Sequence, residues 1–175
     1  MKVNIEIFSL SLAAVVLLAV LTIIIATNGS SDLVFAQGGG KFMINLTGSE
    51  EVPPVQTNTT GTAEISAFDI ASDSISYAIN VPDIQNATAG HTHLGKSGEN
   101  GPIVVTFFRY GSPMYGVTET GTITADMFEG PMEGKPLSEL ALAGANGSLY
   151  MNIHTEQHPN GEIRGQIENP LTKKE

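Results

Sequence analysis

The chain has 175 residues, with 8 basic and 18 acidic side chains, a net charge of −10 and no cysteine. An acidic surface of this kind repels phosphate and has no basic stripe to displace counterions, which argues against nucleic-acid binding. Without cysteine the fold must hold together without disulfides, and a thiol nucleophile is excluded.

Residues 7–26 form an apolar run interrupted only by Ser9, Ser11 and Thr22. About 20 such residues suffice to cross a bilayer as a helix, and the run also suits the core of a signal peptide. Val34-Phe35-Ala36 offers a peptidase site that would leave Gln37 as the new terminus. Residues 1–36 are therefore expected to form a hydrophobic helix with the start of a tether, as either a cleaved signal peptide or an uncleaved membrane anchor. In both cases the remainder is exported, either secreted or held at the cell surface. Five Asn-x-Ser/Thr sequons, at Asn28, Asn45, Asn58, Asn86 and Asn146, agree with export and mark candidate glycosylation sites.

Glycines at 38–40 make residues 37–41 a flexible tether, and ordered structure is expected from residue 42. Short strands follow, separated by turn residues. Phe42, Ile44 and Leu46 alternate with Met43 and Asn45; Ala63, Ile65 and Ala67 form a second alternating run, and Ile75, Tyr77, Ile79 and Val81 a third. Pro53-Pro54 forbids a central strand there, so Glu50-Glu51 reads as part of a solvated edge segment, with a carboxylate ligand as the alternative. Residues 103–108 are almost continuously apolar, as in a strand buried on both faces, and residues 117–124 read as a threonine-rich strand. One short helix is expected at residues 136–144, ending on Gly144. Leu149, Met151 and Ile153 then alternate with Tyr150, Asn152 and His154, and residues 163–167 close the domain after the turn dipeptide Asn160-Gly161. Residues 168–175 read as a polar tail. The pattern predicts an all-β fold: an antiparallel Greek-key β-sandwich of seven to eight strands with one short helix, preceded by the N-terminal hydrophobic helix. A domain of this length buries enough surface to stand without a structural metal, and it is expected to be monomeric.

All four histidines fall in two segments, His91-Thr92-His93 and His154-Thr155-Glu156-Gln157-His158, each running into a glycine-rich turn. On a strand, His91 and His93 share one face about 6.5 Å apart along the backbone. His154 points away from the Leu149/Met151/Ile153 row. If its strand pairs near His91, three imidazoles converge, and His158 supplies a fourth or stays exposed. This makes His91, His93, His154 and His158 the candidate metal ligands, with copper or zinc as the ion that imidazole suits. Glu162 and Arg164 alternate with Ile163 and are expected to pair structurally across the last hairpin. The glycines after His93 lack the Gly-Lys-Ser/Thr placement and following helix of a phosphate loop. A Gly-x-Ser-x-Gly nucleophile elbow is also missing.

Three ordered motifs resemble the CHRD domain. They are Phe42-Met43-Ile44-Asn45-Leu46-Thr47-Gly48 with Glu50-Glu51-Val52-Pro53-Pro54-Val55, then the stretch from His91 to Pro102, then Tyr150 to His154 with Gly161-Glu162-Ile163-Arg164-Gly165-Gln166-Ile167. The resemblance covers residues 42–167. It implies an extracellular or microbial exported domain and brings no established activity with it. The cysteine-rich growth-factor-binding modules of chordin have no counterpart here. A second resemblance, to copper/zinc superoxide dismutases, rests on His91 and His93 on one strand with His154 near the chain's end. The bridging histidine, the zinc cluster and the disulfide of those enzymes have no match. The leading expectation is an exported or membrane-anchored binding or adhesion module of the cell envelope, with a protein or envelope component as partner. The alternative is a histidine-ligated copper or zinc metalloprotein, capable of redox chemistry with copper.

Overall fold

A computed structural model describes residues 41–66, 68–69 and 71–168. The expected N-terminal helix, the tether before Lys41, the Asn28 sequon and the tail beyond Glu168 lie outside these. Among the described residues no helix is long and apolar enough to cross a membrane.

Among the described residues eight strands are present: β1 (Lys41–Thr47), β2 (Thr60–Ser66), β3 (Ile75–Val81), β4 (Ala87–Leu94), β5 (Ile103–Met114), β6 (Val117–Ile123), β7 (Leu149–Thr155) and β8 (Ile163–Ile167). The α-helix among these residues, α1 (Leu137–Ala145), follows Pro136 as its N-cap and sends Leu137 and Leu140 into the core. Strands β1 and β3 form where apolar side chains recur at alternate positions, whereas the first half of β5 is a nearly continuous apolar run. In β1, Ile44 and Leu46 are buried while Met43 and Asn45 face out, and Ile75, Ile79 and Val81 do the same for β3.

All pairings are antiparallel, and the strands follow the order β5-β4-β7-β8-β1-β2-β3-β6. The expected antiparallel all-β fold with one short helix is present, and its eight strands join as one sheet that nearly closes on itself, between a sandwich and a barrel. The reason lies at two seams. β1 and β8 meet through a single registered pair, Thr47 with Arg164. A Cβ on Gly165 would run into the Asn45 carbonyl and the Ile44 side chain, so glycine permits this crossing. At the other seam, edge strands β5 and β6 are drawn together by side chains. The Tyr110 hydroxyl donates to Glu119 Oε1 at 2.7 Å, and the Tyr77 ring on β3 lies 4.6 Å from Phe107 on β5. Each four-stranded half contributes its apolar face to one core. β1, β2, β3 and β6 give Leu46, Ile79 and Val117, and β4, β5, β7 and β8 give Val104, Met151, Ile153 and Ile163.

Strand β7 is buried along its whole length, on both faces. Leu149, Met151 and Ile153 fill the core. Tyr150, Asn152 and His154 lie on the opposite face, which is roofed by the loops after β4, around residues 48–59 and between β7 and β8. A second, polar interior is thereby built on the outside of the sheet.

Candidate metal centre

Cross-strand register assembles this polar interior. His93 pairs with Tyr150 and Tyr150 with Gln166; His91 pairs with Asn152 and Asn152 with Arg164; Ala89 pairs with His154. Opposed residues share a face of a sheet. The two β4 histidines and the β7 histidine therefore meet on one surface, although more than sixty residues separate them in the chain.

The structure brings His91, His93 and His154 together, with one ligand nitrogen from each lying within 4.8 Å of the others, and all three are buried or nearly so. Ring-centroid separations are 5.7 Å for His91–His93, 4.7 Å for His91–His154 and 6.1 Å for His93–His154. His158 stands outside the trio. Its backbone shapes the following turn, where its N–H donates to Thr155 Oγ1 and its carbonyl accepts from Gly161 and Thr155.

Two backbone carbonyls fix the imidazole tautomers. His93 Nδ1 lies 2.8 Å from the Gly101 carbonyl, and His154 Nδ1 lies 2.9 Å from the Pro159 carbonyl. A carbonyl only accepts, so both Nδ1 atoms carry the proton and both Nε2 atoms present a lone pair. This is the outer arrangement that orients histidine ligands in metal sites. His91 Nδ1 is 2.9 Å from His154 Nε2. Among the described residues five buried side-chain N or O atoms lack a hydrogen-bond partner. Four of them, His91 Nε2, His93 Nε2, Asn152 Oδ1 and Glu51 Oε1, belong to this one polar interior. Buried polar atoms are seldom left unpaired, and such a concentration of lone pairs facing inward suits a cation.

Burial holds all three imidazoles below the ordinary histidine range. For His91 the pKa falls to about 3, through burial first and then the charges of His154, Arg109 and His93. His93 and His154 are lowered mainly by burial, and their carbonyl partners offset part of the effect. Neutral imidazole is the form that binds metal.

Three further residues complete the site, of which Asn152 and Tyr150 carry no signal in the sequence. Glu51 is buried, not solvated, and burial pushes its carboxyl up to about 7 against the pull of Arg164 and the neighbouring Asn152 side chain. Asn152 sits beside both Glu51 and His93 and favours the charged form of each, although Glu51 Oε1, His93 Nε2 and Asn152 Oδ1 make no well-aligned bond. Tyr150 stacks on His93, with centroids 4.8 Å apart and planes within 9°. Its hydroxyl accepts from the Gly101 N–H at 3.2 Å.

The expected Glu162–Arg164 pair is absent. Glu162 accepts from the Thr57 and Thr155 hydroxyls at 2.8 and 2.9 Å. Arg164, 1% exposed, donates to the Lys96 and Glu99 carbonyls, Asn100 Oδ1 and Gln166 Oε1, and its Cζ lies 3.4 Å from the Tyr150 ring centroid. It ties down the loop that supplies Gly101 to His93. Of the sequons, Asn45, Asn58 and Asn146 are exposed and Asn86 is half-buried.

The fold and site together define an all-β domain, an almost closed eight-stranded sheet with a loop-roofed histidine cluster on its outer face. The family model for the CHRD domain matches residues 42–167, and the chain belongs to that family. Neither the curated proteins nor the solved structures yield a match.

Proposed function

We propose that this chain is an exported or membrane-anchored metal-binding module in which His91, His93 and His154 hold one copper or zinc ion. The observation that carries the reading is the set of inward-facing, unpartnered lone pairs around three buried histidines, two of them locked by carbonyls in one tautomer. Two metal–nitrogen bonds of ~2.1 Å span at most ~4.2 Å. A trio whose atoms lie within 4.8 Å closes on an ion with small ring movements. The donors are imidazoles alone, which suits both ions, and copper binds more tightly in the usual divalent series. A bound copper ion would supply one-electron redox chemistry and a bound zinc ion Lewis acidity. The chain's own residues fix the three rings, exclude bulk water through the 95–102 loop and keep the imidazoles unprotonated.

Elemental analysis of the purified chain tests this directly. About one copper or zinc per chain is expected, lost in the His91→Ala/His93→Ala double variant. At ~100 times its dissociation constant the metal should add about 2.7 kcal/mol of stability. A melt indifferent to copper, zinc and chelator, with no metal in the protein, would remove the reading.

A further inference from the structure

We propose that Glu51 is the charge-compensating positioning residue of the metal site, the carboxylate that allows a divalent cation to settle beside the fixed cation of Arg164. The proposal rests on the metal-binding reading. A divalent ion held by three neutral imidazoles brings two uncompensated positive charges beneath the roof. Two cations already act on that space: Arg164 on His93, and Arg109 on His91 and His154. Further positive charge in a poorly solvated interior is costly unless a negative group lies near.

Two buried carboxylates belong to this region, Glu51 at 5% and Glu162 at 8% exposure. Glu162 is already spoken for, because each of its oxygens accepts a threonine hydroxyl. Glu51 is different. Its Oε1 is buried without a partner, Arg164 acts on it through its charge, and Asn152 lies between it and His93. Gly161, at φ 125°, has no Cβ, and a Cβ there would collide with the Glu51 carboxyl and the Asn152 amide. The backbone is thus shaped to admit a carboxylate at this point. Glu51 is not one of the three residues whose donor atoms converge, so it acts on the ion through charge and through Asn152, without ligating it.

The test is calorimetric titration of zinc, and separately of copper, into the chelator-treated chain, comparing wild type with Glu51→Gln and Glu51→Asp, alongside the metal-free melt of each at pH 7.5. Glu51→Gln keeps the shape and removes the charge. It should weaken metal binding about tenfold or more while leaving the metal-free melt unchanged or higher. Glu51→Asp should restore most of the affinity. Opposite movements of affinity and metal-free stability are what a merely structural residue cannot produce. Wild-type affinity in Glu51→Gln overturns the proposal and leaves the metal site standing. Loss of metal-free stability in Glu51→Gln makes the residue structural and also overturns it. A wild-type chain that binds neither metal removes both readings.

Discussion

His91 Nδ1 and His154 Nε2 lie 2.9 Å apart across the β4–β7 pair. Because the Pro159 carbonyl takes the Nδ1 proton of His154, its Nε2 accepts, and in the metal-free chain His91 must donate from Nδ1. That leaves His91 Nε2 as a buried lone pair without a partner. Nitrogen-15 spectra of the metal-free chain should therefore show all three site imidazoles neutral and protonated on Nδ1 at pH 7. His91 should not titrate between pH 8 and 6, and His93 and His154 should titrate below the ordinary histidine value, because burial lowers each. A titration of His91 near 6.5 would contradict the buried cluster.

Two groups pull the pH dependence of folding in opposite directions. His91 titrates at about 3 when folded and near 6.5 when unfolded, so its contribution is complete above 6.5 and is lost as pH falls toward 3. At pH 5 that loss is on the order of 2 kcal/mol. Glu51 titrates at about 7 when folded and 4.5 when unfolded, so its contribution is complete below 4.5 and is lost as pH rises through 7. The metal-free chain should be most stable between these limbs, in mildly acidic solution. In Glu51→Gln the alkaline limb disappears and the optimum should shift above pH 7. Denaturant midpoints across pH 4 to 9 measure both curves. An unmoved optimum would mean Glu51 is ionised and solvated.

Gly165 offers a sharp test of the seam between β1 and β8. A Cβ there overlaps the Asn45 carbonyl and the Ile44 side chain and presses on Leu46 Cδ2 at 3.1 Å. Backbone atoms yield little, so Gly165→Ala should cost about 2 kcal/mol or more. Gly111 has open space around a would-be Cβ, and Gly111→Ala should be neutral or slightly stabilising. Urea midpoints of the two variants should separate clearly. Equal midpoints would mean the strands do not cross this closely.

Local alternation made the strands and the helix legible. The helix expected at 136–144 is found at Leu137–Ala145, and β7 shows its Leu149/Met151/Ile153 face in the core. What alternation cannot convey is what covers the other face. Tyr150, Asn152 and His154 read as an outward polar row, yet loops from distant parts of the chain bury them. Glu51 sits beside two prolines and reads as solvated, but the groups that bury it, Asn152 and Gly161, lie about a hundred positions away. Glu162 precedes the first residue of β8, so strand alternation does not govern it, and it turns to Thr57 and Thr155 rather than to Arg164. The joining of eight strands into one sheet hangs on the single Thr47–Arg164 pair, which no periodicity announces.

Arg164 couples that seam to the histidine cluster. Its guanidinium holds the Lys96 and Glu99 carbonyls and Asn100 Oδ1, so it anchors the loop from which Gly101 fixes the His93 tautomer. Asn100 in turn donates to the Val52 carbonyl at 2.7 Å, tying in the segment that carries Glu51. Lysine keeps the charge but loses the planar fork and the stacking on Tyr150. Arg164→Lys should cost about 2 kcal/mol or more, because several part-buried acceptors lose the donors of a buried guanidinium. The 95–102 loop should also become open to protease before the sheet unfolds. If the site reading is right, metal affinity should drop in the same variant, since His93 then loses the carbonyl that orients it. Limited proteolysis, a denaturant melt and a zinc titration on this variant read the three effects. Normal loop protection with unchanged affinity would show that Arg164 supports neither the roof nor the ligands beneath it.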